Sequence, residues 1–213
     1  MPEQWPRIIV CYGDSNTWGY DPVTGKRFPP DVRWTGVMAH ELGSTYRVIE
    51  EGLGGRTTRW DDPVSPGRNG LTYLAPCLES HRPLDMVLIM LGTNDLQQYY
   101  NLSASVIAQS AAALAGNAKQ VAENDAGEPS DVLLIAPPPV ATLSDLDEMF
   151  AGAEVKSRLF SRYFRMAAGW QGVPFFDAGS VIESSPLDGI HFEADAHRTL
   201  GLALADEVRR AFA

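Results

Sequence analysis

The sequence predicts an α/β protein of flavodoxin-like type: a three-layer α/β/α sandwich around one five-stranded parallel sheet. Three observations predict it. Short apolar runs alternate along the chain with longer stretches whose apolar residues recur at helical spacing, the pattern of successive βα units. The helical stretches are long enough to serve as right-handed crossovers between parallel strands. Finally, 213 residues with 45% hydrophobic and 21% charged content can bury one sizeable core but are short for two domains, so residues 1–213 read as a single domain.

Each element has its own signal. The first strand, residues 8–12, is Ile8-Ile9-Val10-Cys11-Tyr12, short, β-branched and closed by Gly13. Further strands are read at residues 46–50, 86–91, 132–136 and 173–176. Helical spacing marks residues 32–42, 71–80, 103–123, 145–170 and 194–212. Three connections, residues 20–30, 56–70 and 137–144, exceed the two to six residues usual for a βα loop. Long loops above the carboxyl edge of a parallel sheet usually carry function. No repeat, low-complexity tract or linker divides the chain.

Composition excludes several classes. A net charge of −10 and a pI near 4.8 leave no clustered Lys and Arg for a phosphate backbone or an anionic membrane surface. No run approaches the ~18 apolar residues of a membrane-spanning helix, and Met1 to Pro6 lacks the pattern of a signal peptide, so a cytoplasmic protein is expected. Cys11 and Cys77 are too few for a disulfide framework and have no metal spacing; both read as reduced packing residues.

Chemistry concentrates in four blocks at strand ends. Gly13-Asp14-Ser15-Asn16 delivers a serine just past the first strand, where α/β proteins place ligands. A serine hydroxyl is a poor nucleophile unless an imidazole takes its proton and a carboxylate fixes that imidazole's tautomer. Asp188-Gly189-Ile190-His191 supplies both partners on one short loop. Asp-Ser-Asn after a strand is equally a good helix cap. In Leu91-Gly92-Thr93-Asn94-Asp95, Gly92 permits a sharp turn and Asn94 either aims its amide at the same edge or makes an Asx turn. Glu51-Gly52-Leu53-Gly54-Gly55 exposes backbone N–H groups that could serve as further donors.

Elimination among the histidines points the same way. His40 and His81 sit near helix ends, where an imidazole favourably meets the C-terminal dipole. His197, beside Arg198, reads as a residue on a solvated helix face. That leaves His191 as the one with a carboxylate three residues before it. Asp188, His191, Asp195 and His197 lie near one another in sequence, but the two histidines are six apart, unlike zinc-binding helix spacings, and no metal is expected. The glycine-rich turn is followed by Arg56 without the Lys-Ser or Lys-Thr pair of a phosphate loop. The chain also lacks the Gly-x-Ser-x-Gly elbow of α/β-hydrolases.

Taken together, these blocks resemble the SGNH/GDSL hydrolase family. Gly13-Asp14-Ser15-Asn16-Thr17-Trp18-Gly19, Asp31-Val32-Arg33-Trp34-Thr35-Gly36, Glu50-Glu51-Gly52-Leu53, Arg56-Thr57-Thr58, Gly92-Thr93-Asn94-Asp95 and Phe175-Phe176-Asp177-Ala178-Gly179-Ser180 look like its bacterial arylesterase and acyltransferase branch. The resemblance implies Ser15 as nucleophile, His191 as general base and then acid, and Asp188 as the carboxylate that orients His191. It implies an oxyanion hole from the N–H of Ser15, the N–H of Gly55 and the amide of Asn94. Many members carry Leu after the serine and Asn in the second turn. Here Asn16 and Gly52-Leu53-Gly54-Gly55 stand instead, which leaves Gly54 or Gly55 as the donor.

The resemblance further implies short-acyl aryl esters as substrates, no cofactor, acyl transfer to alcohols beside hydrolysis, and homo-oligomers up to octamers. Trp18, Tyr20, Trp34 and the loop after Pro137 correspond to positions of an apolar substrate entrance; without the resemblance, Trp18 and Trp34 read equally as core or interface aromatics. Trp5, Trp60 and the Pro-rich stretch 61–66 are candidate interface pieces. A carbohydrate O-deacetylase would use the same triad, and a non-catalytic flavodoxin-like module would keep the fold alone.

Overall fold

The computed structural model describes residues 5–213; residues 1–4, the start of the segment judged not to be a signal peptide, lie outside the described residues. The strands are β1 (Arg7–Gly13), β2 (Tyr46–Gly52), β3 (Met86–Met90), β4 (Asp131–Ala136) and β5 (Phe175–Asp177). They form one sheet in the order β2-β1-β3-β4-β5, and every neighbouring pair is parallel. This is the flavodoxin-like order. Gly13 at the end of β1 is flanked by Gly52 of β2 and Met90 of β3, so three strand ends meet at one edge.

Helices cover both faces. On one lie α2 (Trp34–Leu42) and α7 (Ala194–Ala211); on the other lie α3 (Gly70–His81), α4 (Ala104–Val121) and α6 (Phe160–Gln171). Successive strand residues point to opposite faces. Ile9 and Cys11 of β1 therefore join Trp34, Met38, Leu200 and Leu204, while Val10 and Tyr12 join Leu74, Ile107, Ala111 and Phe164. Ala108, Ala111, Ala112, Ala115 and Ala118 of α4 are buried, and their small side chains let this helix lie close against its neighbours.

Two expectations about elements change, and one element is added. The span 145–170 is not one helix. Gly152, in the left-handed region at φ 81°, precedes the short α5 (Ala153–Ser157), and α6 follows as a separate helix. β5 begins at Phe175 rather than at residue 173, because Pro174 has no N–H to donate to the ladder and contributes only its carbonyl, which accepts from Leu134. A four-residue helix, α1 (Ser15–Trp18), follows β1 directly and is too short to leave a periodic signal.

Candidate active site

The turn from β1 into α1 decides where Ser15 stands. A Cβ on Gly13 would lie 2.0 Å from Thr17 Oγ1 and 2.9 Å from the Met90 carbonyl, so only glycine lets the chain fold back so closely. The cap reading of the Asp-Ser-Asn step is realised by Asp14 and not by Ser15. Asp14 is the cap, its Oδ1 accepting from the Asn16 N–H at 3.0 Å, and Ser15 is the first helical residue.

His191 reaches Ser15 across the top of the sheet. Its Nε2 is 3.0 Å from Ser15 Oγ, and its Nδ1 is 2.6 Å from Asp188 Oδ2. The partners fix the tautomer: a carboxylate accepts only, so Nδ1 carries the proton and Nε2 accepts from the hydroxyl. The other carboxylate oxygen, Asp188 Oδ1, accepts the backbone N–H groups of Ile190 and His191, each at 2.9 Å. Burial alone would raise the Asp188 carboxyl, but the hydrogen bonds from the His191 ring and the two backbone groups outweigh it and hold the group below its ordinary value. Asn16, the departure from the Leu of many members, donates through Nδ2 to the Ile190 carbonyl at 3.2 Å and so ties the serine segment to the Asp-His loop.

Hydrogen-bond donors stand just past the ends of the three neighbouring strands β1, β2 and β3. Asn94 opens a 3-10 turn after β3. Its Nδ2 donates to the Arg56 carbonyl at 3.1 Å and keeps only a 3.5 Å approach to Asp14 Oδ2, so its second proton is nearly uncommitted. After β2 the loop is closed by two bonds, Leu53 N–H to the Gly13 carbonyl at 3.1 Å and Arg56 N–H to the Leu53 carbonyl at 3.0 Å. Among the described residues, the N–H groups of Ser15, Gly54 and Gly55 have no hydrogen-bond acceptor. A Cβ on Gly54 would meet open space, whereas one on Gly55 would sit 3.4 Å from the Arg68 side chain.

Sequence reasoning missed the groups beneath these donors. Arg56 is buried with its guanidinium 4.2 Å over the Tyr12 ring, and Nη1 donates to the Gly13 carbonyl at 2.9 Å and to the Glu51 carbonyl. It thus joins the ends of β1 and β2; the available signal was an Arg between a glycine-rich turn and Thr57-Thr58. Asp95 is fully buried and accepts both the N–H and the hydroxyl of Thr58. Burial pushes the Asp14 carboxyl up to about 6 and that of Asp95 up to about 7.

The three aromatics expected at the substrate entrance divide. Tyr20 lies against the His191 ring, centroids 4.1 Å apart. Trp18 is half-buried with the Arg27 guanidinium 5.2 Å over its ring. Trp34 is 1% exposed and belongs to the core beside Met38 and Phe192, which removes it from any entrance. Its backbone N–H donates to His197 Nδ1 at 3.2 Å. His197 itself corrects the solvated-face reading: it is 0% exposed, because it shares the apolar stripe of α7 with Leu200 and Leu204, three and seven residues on. Among the described residues one group, Glu51, Cys77 and His81, brings metal-type donor atoms within 4.8 Å of one another. There Glu51 already holds His81 at 2.8 Å, and burial raises the Cys77 thiol to about 12.

Residues 11–199 match the model of the GDSL-like lipase/acylhydrolase family. Among solved structures, the native aryl esterase of M. smegmatis is 45% identical, with 96% of this chain and 99% of that one covered and a TM-score of 0.91. A carbohydrate acetylesterase from Sinorhizobium meliloti is 42% identical over 96% and 99% of the two chains, with a TM-score of 0.92. A carbohydrate acetylesterase family member from the same organism is 34% identical over 96% and 98%, with a TM-score of 0.90. No curated protein matches the chain. A family model that spans most of the sequence, and neighbours that share its length, its fold and a third to nearly half of its residues, place this chain in the GDSL-like lipase/acylhydrolase family.

Proposed function

We propose that this acylhydrolase is a serine esterase of short-acyl esters, aryl esters above all, working through Ser15, His191 and Asp188. The observation that carries the reading is the unbroken relay from Asp188 Oδ2 through Nδ1 and Nε2 of His191 to Ser15 Oγ, at 2.6 and 3.0 Å. In this reading Ser15 Oγ attacks the ester carbonyl while its proton passes to His191 Nε2. The carbonyl oxygen becomes an oxyanion held by the N–H of Ser15, the amide of Asn94 and the N–H of Gly54 or Gly55. The same proton then leaves with the alcohol or phenol, and water, or a competing alcohol, resolves the acyl-enzyme. No step calls for a cofactor. Trp18 and Tyr20, beside the nucleophile, are the aromatic surfaces offered to an aryl leaving group.

Hydrolysis of p-nitrophenyl acetate, butyrate and octanoate by the wild type and by Ser15→Ala tests the reading. Acetate-favouring turnover that disappears in a folded Ser15→Ala protein is expected; turnover that survives the substitution contradicts it. The 42% identity to a carbohydrate acetylesterase favours a second reading, deacetylation of sugars by the same three residues. Rates on acetylated sugars against phenyl acetate separate the two.

A further inference from the structure

The segment that carries Ser15 also carries a surface on which His191 lies. α1 ends at Gly19, whose φ of 88° reverses the chain. The N–H groups of Gly19 and Tyr20 both donate to the Ser15 carbonyl, at 2.8 and 3.0 Å. Tyr20 is therefore held against the nucleophile's own backbone, and an antiparallel bridge to Arg27 fixes the strand-like stretch that follows. From this position its ring meets the His191 imidazole, centroids 4.1 Å apart and planes inclined by 33°.

Two hydrogen bonds define an imidazole only within its plane. Asp188 at Nδ1 and Ser15 at Nε2 fix the line through the two nitrogens, but the ring can still tilt about that line unless something packs on a face. Tyr20 packs on one. An aromatic face also carries partial negative charge and attracts a cation lying over it. We propose that Tyr20 is a positioning residue for His191: its ring holds the imidazole in the plane that serves both Asp188 and Ser15, and its π face favours the imidazolium formed when Nε2 takes the Ser15 proton.

The proposal rests on the serine-esterase reading, so its test observes the imidazole directly as well as turnover. The charged or titratable groups around His191 are Asp188 on its own loop, Asp14 from the β1–α1 turn and His197 from α7. None is altered by substituting Tyr20. The His191 ring proton signal, assigned by its loss in His191→Gln, is titrated by NMR in the wild type, Tyr20→Phe and Tyr20→Leu, with folding checked by circular dichroism. Tyr20→Met replaces the leucine variant should that one fail to fold.

Tyr20→Phe is expected to keep the wild-type midpoint. In Tyr20→Leu the midpoint should move to lower pH by about 0.4 to 0.7, a two- to fivefold loss of proton affinity, and the acid limb of kcat/KM should move with it. Coincident midpoints in the wild type and Tyr20→Leu, or an equal displacement in Tyr20→Phe, overturn the proposal. A displaced midpoint in a protein that cleaves no ester upholds the stacking and rejects the esterase reading; ester cleavage with coincident midpoints does the reverse.

Discussion

Asn94 and His197 show how far single residues can be read. The Asn94 amide spends one proton on the Arg56 carbonyl and keeps the other nearly uncommitted, 3.5 Å from Asp14 Oδ2. Loss of one such donor should lower kcat by about 10²- to 10³-fold. Asn94→Ala is therefore expected to fold, because the side chain stands on a turn after β3, and to show that loss in steady-state kinetics. Near-normal turnover would remove Asn94 from the oxyanion hole. His197 concerns stability instead. Burial holds its imidazole neutral and lowers its pKa to about 4, whereas the unfolded chain protonates it near 6.5. Between those values the unfolded state binds more protons, so the contribution of His197 is complete above pH ~6.5 and lost as pH falls through 4, on the order of 3 kcal/mol. Asp14 and Asp95 act with the opposite sign. With folded-state pKa values raised to about 6 and about 7, the folded state binds their protons more tightly, and their contribution rises on acidification through that window. His197→Gln keeps an acceptor for the Trp34 N–H without a titrating group, so on going from pH 7 to 4.5 its urea-unfolding free energy should change more favourably than that of the wild type by about 2–3 kcal/mol; an identical change in the two proteins would contradict this. Asp188 and His191 were legible in the sequence because three residues suffice to join them on one loop. The Tyr20–His191 contact was not, since nothing in spacing reports a meeting between positions so distant along the chain.

At the scale of elements, glycine sets the distances between the pieces that hold the site. A Cβ on Gly52 at the end of β2 would lie 2.1 Å from the Trp18 N–H nitrogen and 2.6 Å from the Thr17 carbonyl carbon, both backbone atoms of α1. Gly52→Ala must therefore push α1, and Ser15 with it, off the strand. We expect a stability loss of about 1–3 kcal/mol in urea unfolding, the usual cost of overpacking, together with a fall in kcat. An active variant of wild-type stability would mean that α1 is free to shift without consequence for Ser15. The five strands were legible because β-branched runs bounded by turn residues are a local signal. The boundary errors have local causes too: Pro174 shortens β5, and the left-handed Gly152 divides what periodicity joins into one helix. α1 is held by a cap at Asp14, a reversal at Gly19 and the fit against Gly52, features that a search for periodicity passes over.

The whole molecule explains why these pieces converge. In the order β2-β1-β3-β4-β5 the chain leaves β1 to one side for β2 and returns past it for β3, and loops at such a reversal splay apart to leave a crevice at the carboxyl edge. Ser15, Gly54, Gly55 and Asn94 follow β1, β2 and β3 at that edge, and the segment after β5 brings Asp188 and His191 to Ser15. The alternation of elements made the parallel sheet predictable, whereas the order of its strands came only with the structure. The core role of Trp34 was not predictable, because a tryptophan at a helix start serves a core and an entrance equally well until packing decides. Among the described residues no helix is long and apolar enough to cross a membrane. The central claim, that Ser15 is the nucleophile of an ester-cleaving relay, is tested most directly by labelling the protein with a fluorophosphonate and mapping the adduct by tandem mass spectrometry. One adduct per chain is expected, on Ser15, formed slowly or not at all in His191→Gln. An adduct on another residue, or equally fast labelling of Ser15 without His191, would contradict it.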